Sequence, residues 1–489
     1  MFLRATVILI VATACCCGGR AAAQTDLSVE RRLLEGLIID GKYKQVVAET
    51  RQLEKTLLDG RAPKGGHQTA VVLDLLGFRM FAEREMGLLA DAEKSLGDAQ
   101  RLFKSKDFQR ALPGFPAVPV ALMYFSLIDE EALLLMERMR SENHGLALAQ
   151  AAAAAAGGAT TTASPDPEAW EERFERLDKL VKHAADTRAA ARLPGLDEAA
   201  EARSPYARAM LGQFRPHLLI GKRYLEAAKL PFTLPAERLG ESAAAAGATD
   251  EPGKPAAGTA AATESPAARA SAAARQLRRA VEYLEEAVAD ADTACTAALG
   301  AFGGDDEERA GSAAYLSATK EAARIRCTAR EALAEALLKS GDPDRARQTL
   351  APAIVDLRKA EKPRHPALAE PLILDAEISL AEMQRSIAAK NTAAADRQSR
   401  AAVEALREAK TLLAVPESGF DPAAPIHQLL DRTLAQAEAK QKQTQESVAQ
   451  REAADAAARR ALKAINATES RKPAPPRPPA PPAEAQTAE

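Results

Sequence analysis

Between Ala322 and Leu357 the chain carries two amphipathic helical stripes separated by Gly341-Asp342-Pro343, and this break constrains the fold more than any other feature. In Ala322 to Lys339 the apolar residues Ile325, Ala329, Ala332, Leu333, Ala336 and Leu337 recur at spacings of three and four, which gathers them on one helix face. Gly341 ends that helix. Asp342 is placed to cap the next one, and Pro343 suits its first position, where no N–H is needed. The second helix then carries its own buried stripe of Ala346, Leu350, Ile354 and Leu357. Composition extends the reading to the rest of the chain. Aromatics make up 4%, Val, Ile and Thr are sparse, and Ala, Leu, Glu, Arg and Lys dominate, so propensity favours helices over strands and predicts an all-α fold.

The same helix-turn-helix resembles the tetratricopeptide repeats, whose two helices carry small residues where they cross and a Gly at the turn. With Ala334 at the eighth repeat position, Leu337, Gly341, Ala346, Leu350 and Ala353 fall at the family's signature small or bulky positions. A similar stretch around Ala376 follows 376 − 334 = 42 residues on, led by His365, Pro366, Ala367 and Leu368, and looks like the longer, kinesin-light-chain-like variant. Leu34, Leu37, Gly41 and Val46 repeat the pattern more faintly, with a successor at Leu76-Gly77. The sequence departs from the family in lacking Trp at the fourth position and Pro near the repeat end, and Gly77 to Gly87 is ten residues where the family has seven.

The resemblance implies an α-solenoid of antiparallel helix pairs that binds a protein or peptide along its concave face. In the family that face is lined by first-helix residues. Carried onto the best-matched unit these are Thr328, Glu331, Glu335, Leu338 and Lys339, and onto its successor Glu370, Ile373, Glu377, Leu380 and Ala381. Four carboxylates against one lysine predict an acidic groove suited to basic and apolar side chains.

The organisation that follows has TPR-like repeats over 24–146, a middle helical segment over 169–239, further repeats over 268–425 and a long charged helix over 426–465. Low-complexity linkers occupy 147–168 and 240–267, and a disordered Pro- and Ala-rich tail runs over 466–489. In the long helix Leu429, Leu430, Leu434 and Val448 are too few for sustained heptads, which leaves a choice between a cap on the stack and an outward arm.

The N-terminus has a signal-peptide layout over 1–23, with one charge at Arg4, an apolar run from Val7 to Ala14 and the small residues Ala21, Ala22 and Ala23 before Gln24. Export to the periplasm or outside the cell is expected. Ala12 to Cys15 offers a competing lipoprotein box, and membrane attachment is expected only if Cys15 is lipidated. Removal of Arg4 and Arg20 lowers the basic count from 65 to 63 against 68 acids, a net charge of −5 spread along the chain. That distribution gives no footprint for nucleic acid. Cys295 and Cys327 remain in the mature chain, and their different distances from a turn near Gly303 and Gly304 argue against pairing.

Motifs for chemistry are scarce. The six histidines never fall at a metal-binding spacing, and no nucleophile elbow is present. Gly60 to His67 has the glycine spacing of a phosphate loop, but Gly66-His67 stands where Lys-Ser/Thr would contact phosphate, so it reads as a turn. Asp305, Asp306, Glu307 and Glu308 read as a solvated acidic loop at a helix start. No cofactor or catalytic residue is indicated. The expectation is a non-enzymatic binding scaffold of the cell envelope; a structural lipoprotein held by Cys15 is the alternative, and an enzyme with a dispersed site is a distant third.

Overall fold

The computed structural model describes residues 28–155, 166–191, 203–230, 266–304, 306–361, 365–415 and 425–469. Helix accounts for 89% of the structure, and no strand occurs among the described residues, so the fold is all-α. The expected signal segment with Cys15, residues 156–165 of the first linker, nearly all of the second linker and most of the Pro-rich tail lie outside the described residues.

Helices α1 (Ser28–Ile39) and α2 (Tyr43–Leu58) form the first hairpin, and α3 (Gly65–Glu85) and α4 (Leu89–Phe103) the second. A short α5 (Lys106–Ala111) leads into α6 (Ala117–Ala155). Then come α7 (Pro167–Ala190), α8 (Pro205–Leu211), α9 (Phe214–Ala228) and α10 (Pro266–Gly300). After α11 (Asp306–Gly311), the helices α12 (Ala313–Lys339) and α13 (Pro343–Ala360) form a third hairpin, and α14 (Ala369–Ala388) and α15 (Thr392–Leu413) a fourth. The long α16 (Pro425–Glu469) packs on α15.

The four hairpins share one turn. In each, the residue at positive φ donates to the carbonyl three back and its successor donates to the carbonyl five back, the paired bonds of a Schellman motif. Lys42→Leu37, Leu88→Glu83, Asp342→Leu337 and Asn391→Ser386 are the longer-range bonds, at 2.8, 2.9, 3.0 and 2.8 Å. Gly41, Gly87 and Gly341 hold φ of 72°, 79° and 89°, and Lys390 takes the same place at 58°. Three turn positions were therefore visible as glycines. The fourth was not, because a lysine there bears the left-handed penalty of about 1–2 kcal/mol without announcing it. The turns also revise the spacing of 42: Gly87 follows Gly41 by 87 − 41 = 46 residues and Lys390 follows Gly341 by 390 − 341 = 49, so successive units differ in helix length.

Side-chain caps start the second helices of the third and fourth hairpins, at Asp342 as the sequence placed it and at Asn391, which sequence reading did not single out. Asp342 Oδ1 accepts from Arg345 N at 3.1 Å and Asn391 Oδ1 accepts from Ala394 N at 3.1 Å. Within the third hairpin Ala329, Ala332, Ala336, Ala346 and Leu350 are buried in one cluster, the small residues allowing the helices to approach. The Ala-rich stretch up to residue 155, assigned above to a linker, is instead the last part of α6, because alanine is the best helix former and nothing interrupts the run.

The long helices pack largely in chain order, with α4 on α6, α7 on α9 and α10 on α12 across the short helices or loops between them, and α16 also touches α6. The turn of the first hairpin meets the segment before α14, where a Cβ on Gly41 would lie 2.7 Å from both Cγ and Cδ of Pro366. Cys295 and Cys327 are unpaired and buried in separate clusters.

Candidate functional site

The concave face expected to bind a partner is occupied by the chain itself. Thr328, Glu331, Glu370 and Ile373 are buried, Glu335, Leu338, Glu377, Leu380 and Ala381 are partly covered, and Lys339 is exposed. Across this face lie α6 and α9. Arg140 of α6 places Nη1 3.8 Å from Glu370 Oε2 and 4.0 Å from Glu137 Oε2. Lys229, the residue that caps the end of α9, bridges Glu226 and Glu335, with Nζ 2.7 Å from each carboxylate. The acidic character inferred from the repeat register is therefore met by bases of the same chain. Sequence register alone could not show this, because Arg140 and Glu370 are 230 residues apart (370 − 140).

Electrostatics in this buried cluster follow from which carboxylates have partners. Burial pulls the Lys229 ammonium down, but Glu226 and Glu335 outweigh it and hold the group above the usual lysine range. Burial pushes Glu335 up, and Lys229 followed by Arg140 overcomes it, leaving Glu335 well below the ordinary carboxylate range. Glu331 differs: burial raises it and Glu370 adds to the rise, while Lys222 and Arg140 only partly offset them. Lys222, which faces the same small space, is lowered by burial. Only about 20 Å³ is open between Glu331, Lys222, Arg140 and Glu335, close to the size of one water.

Further along α6 the pattern repeats with different helices. Arg84 of α3 reaches Glu130 with Nε 2.9 Å from Oε2, and Arg188 of α7 donates to Asp129 Oδ2 at 2.6 Å. Both members of each pair are buried.

A larger space opens on the outer side, between α2 and α4. It is a cleft of about 620 Å³. Its α2 wall is formed by Arg51, Glu54, Lys55 and Leu58 and its α4 wall by Asp91, Lys94, Ser95 and Asp98. Each set has spacings of three and four, so each is one helix face. Arg79 and Glu83 of α3 form the floor, and Gly60 and Arg61 close the end. Glu83 is 1% exposed and accepts from Ser95 Oγ at 2.7 Å and Arg51 Nη2 at 3.1 Å. Burial nevertheless raises its carboxyl above the usual range, with Ser95, Arg79 and Arg51 opposing. Arg79 pairs with Glu54. The groove register missed this cleft because it lies on the second helices of the hairpins; alternating charges at 51, 54, 55 and 91, 94, 98 were the available signal.

Among the described residues no group of three or more His, Cys, Asp or Glu is arranged to hold a metal ion. No helix in the described residues is long and apolar enough to cross a membrane. No protein-family model matches the chain, and neither the curated proteins nor the solved structures include a match to it.

Proposed function

We propose that this chain is a non-enzymatic scaffold of the tetratricopeptide kind that binds a protein or peptide in the cell envelope. The observation that carries the reading is the shared turn: four hairpins close with the same pair of backbone hydrogen bonds. Repetition of one helix pair is how α-solenoids build an extended surface from local contacts. Small residues at the helix crossings, including the fully buried Ala346, support the same reading. The envelope address rests on the signal-peptide layout of residues 1–23.

Affinity capture of the full-length chain from cross-linked envelope fractions tests the function, with a cytoplasmic fraction as control. A partner enriched only in the envelope sample supports the scaffold. Recovery of the chain alone at every cross-linker concentration argues against it. Mass spectrometry of the mature N-terminus separates the lipoprotein alternative: a chain starting at Gln24 is free, whereas a diacylated Cys15 anchors it to the membrane.

A further inference from the structure

We infer that the outer cleft between α2 and α4 is a docking site for a short acidic peptide segment, held by Lys55, Arg61 and Lys94. The inference rests on the scaffold reading for its biological use, but its physical basis lies in the pairing of the charges. The cations on the floor and one wall are already engaged: Arg79 with Glu54, and Arg51 with Glu83. Ser95 completes the Glu83 carboxylate. Among the described residues Lys55, Arg61 and Lys94 form no ion pair or side-chain hydrogen bond, and all three are exposed at the rim. Asp98 is drawn away by Arg101. Of the acids lining the cleft, Asp91 alone has no partner among the described residues, and its place in the first turn of α4 suits the positive end of that helix.

The paired floor therefore presents little net charge, while the rim carries three unpaired cations against one carboxylate. An anionic ligand neutralises the rim without displacing any existing pair. A cationic ligand would have to compete for Glu54 and Glu83, which already have arginine partners. The α2 wall runs from Arg51 to Leu58, about 10 Å at 1.5 Å per residue. That length accommodates about three residues of extended chain at roughly 3.3 Å each. The cleft volume of about 620 Å³ lies in the range of pockets that enclose small ligands. No Phe, Tyr or Trp lines it, so it lacks the stacking platform with which single-stranded nucleic acids are held. The chemistry thus favours a peptide bearing two or three carboxylates.

The test uses the full mature chain and a fluorescein-labelled hexaglutamate peptide, followed by fluorescence anisotropy at low salt. Hexalysine, a Gly-Ser hexamer and a hexathymidine oligonucleotide serve as comparison probes. The expected result is saturable hexaglutamate binding that weakens about tenfold or more in the triple variant Lys55→Glu, Arg61→Glu, Lys94→Glu and tightens in Asp91→Asn. Circular dichroism of each variant establishes folding, which these exposed positions should leave intact. A second triple reversal on α16, Lys440→Glu, Lys442→Glu and Lys463→Glu, matches the charge change elsewhere and should leave binding unchanged. Equal loss in both triple variants would mean that net charge, not the cleft, attracts the peptide, and would overturn the assignment. Binding of hexalysine or hexathymidine as tight as hexaglutamate would also overturn it. Envelope capture with the cleft variant keeps the two proposals apart: a partner retained by that variant rejects the cleft as its dock while leaving the scaffold standing.

Discussion

Replacing Gly41 with alanine tests whether the first hairpin truly docks on the segment before α14, and Gly341→Ala supplies the internal standard. Both glycines occupy the same turn position, with φ of 72° and 89°, so an added methyl group imposes the same left-handed backbone cost of about 1–2 kcal/mol at each. Their surroundings differ. Around Gly341 a Cβ meets nothing within 4 Å, whereas at Gly41 it would lie 2.7 Å from two ring carbons of Pro366. The proline ring cannot rotate away, so the clash adds an overpacking cost of about 1–3 kcal/mol, or the hairpin separates. Gly41→Ala should therefore destabilise the contact more than Gly341→Ala destabilises its own hairpin. Hydrogen exchange read by mass spectrometry resolves the two effects. Faster exchange is expected over α1, α2 and residues 365–368 for Gly41→Ala, and over the α12–α13 turn alone for Gly341→Ala. Pro366→Ala in the Gly41→Ala background should recover part of the difference. Equal, strictly local exchange changes in the two glycine variants would refute the closed arrangement.

Three further outcomes are expected. Ala346→Leu enlarges a fully buried side chain between α12 and α13 and should cost about 1 to 3 kcal/mol, read as a lower melting temperature; an unchanged melting temperature would show that the helices do not approach there. Asp74 has its carboxyl raised to about 6 by burial, with Arg31 opposing and Glu35 adding, so the folded state holds its proton more tightly than the unfolded one. That contribution is fully present below the unfolded value of 3.8 and is lost as pH rises through about 6, so Asp74→Asn should stabilise at pH 8, by up to about 3 kcal/mol, and change little at pH 3.5; urea melts at the two pH values check the sign. Cys295 and Cys327 are buried with thiols raised by that burial, Cys295 to about 12, so neither should react with a thiol reagent until the chain unfolds; labelling of the native protein within minutes would contradict their placement.

Local features were legible in the sequence because they are set by neighbours. The helix class, the turns at Gly41 and Gly341, the cap at Asp342 and the buried stripe of the third hairpin all follow from residues a few positions apart. The Lys390 turn was hidden because nothing in a lysine signals a left-handed backbone; its φ of 58° and the bond from Asn391 N to Ser386 O reveal it. The function of the Ala run before residue 155 was misread for a related reason: low complexity resembles a linker, although its helix propensity is high. The concave face failed differently. A repeat register gives the direction in which Glu331, Glu335 and Glu370 point, but not what lies opposite, and here that is Arg140, Lys222 and Lys229 from distant helices.

The polar side chains on α6 explain why the inner face is closed. Asp129, Glu130, Arg140 and Asn143 each reach a different helix: Arg188 on α7, Arg84 on α3, Glu370 on α14 and the Glu226 carboxylate on α9. Buried pairs of this kind add little net stability, since desolvation offsets most of the attraction, but removing one partner leaves an unpaired charge at a cost of about 3–5 kcal/mol. A slip of α6 by one residue turns each side chain about 100° around the helix and would unpair all four contacts together, so they fix one register of α6 against its neighbours. An incoming peptide would have to replace several buried pairs at once to enter that face. Such an exchange is far less favourable than engaging exposed cations that have no partner among the described residues, and Lys55, Arg61 and Lys94 are three of these gathered on one cleft.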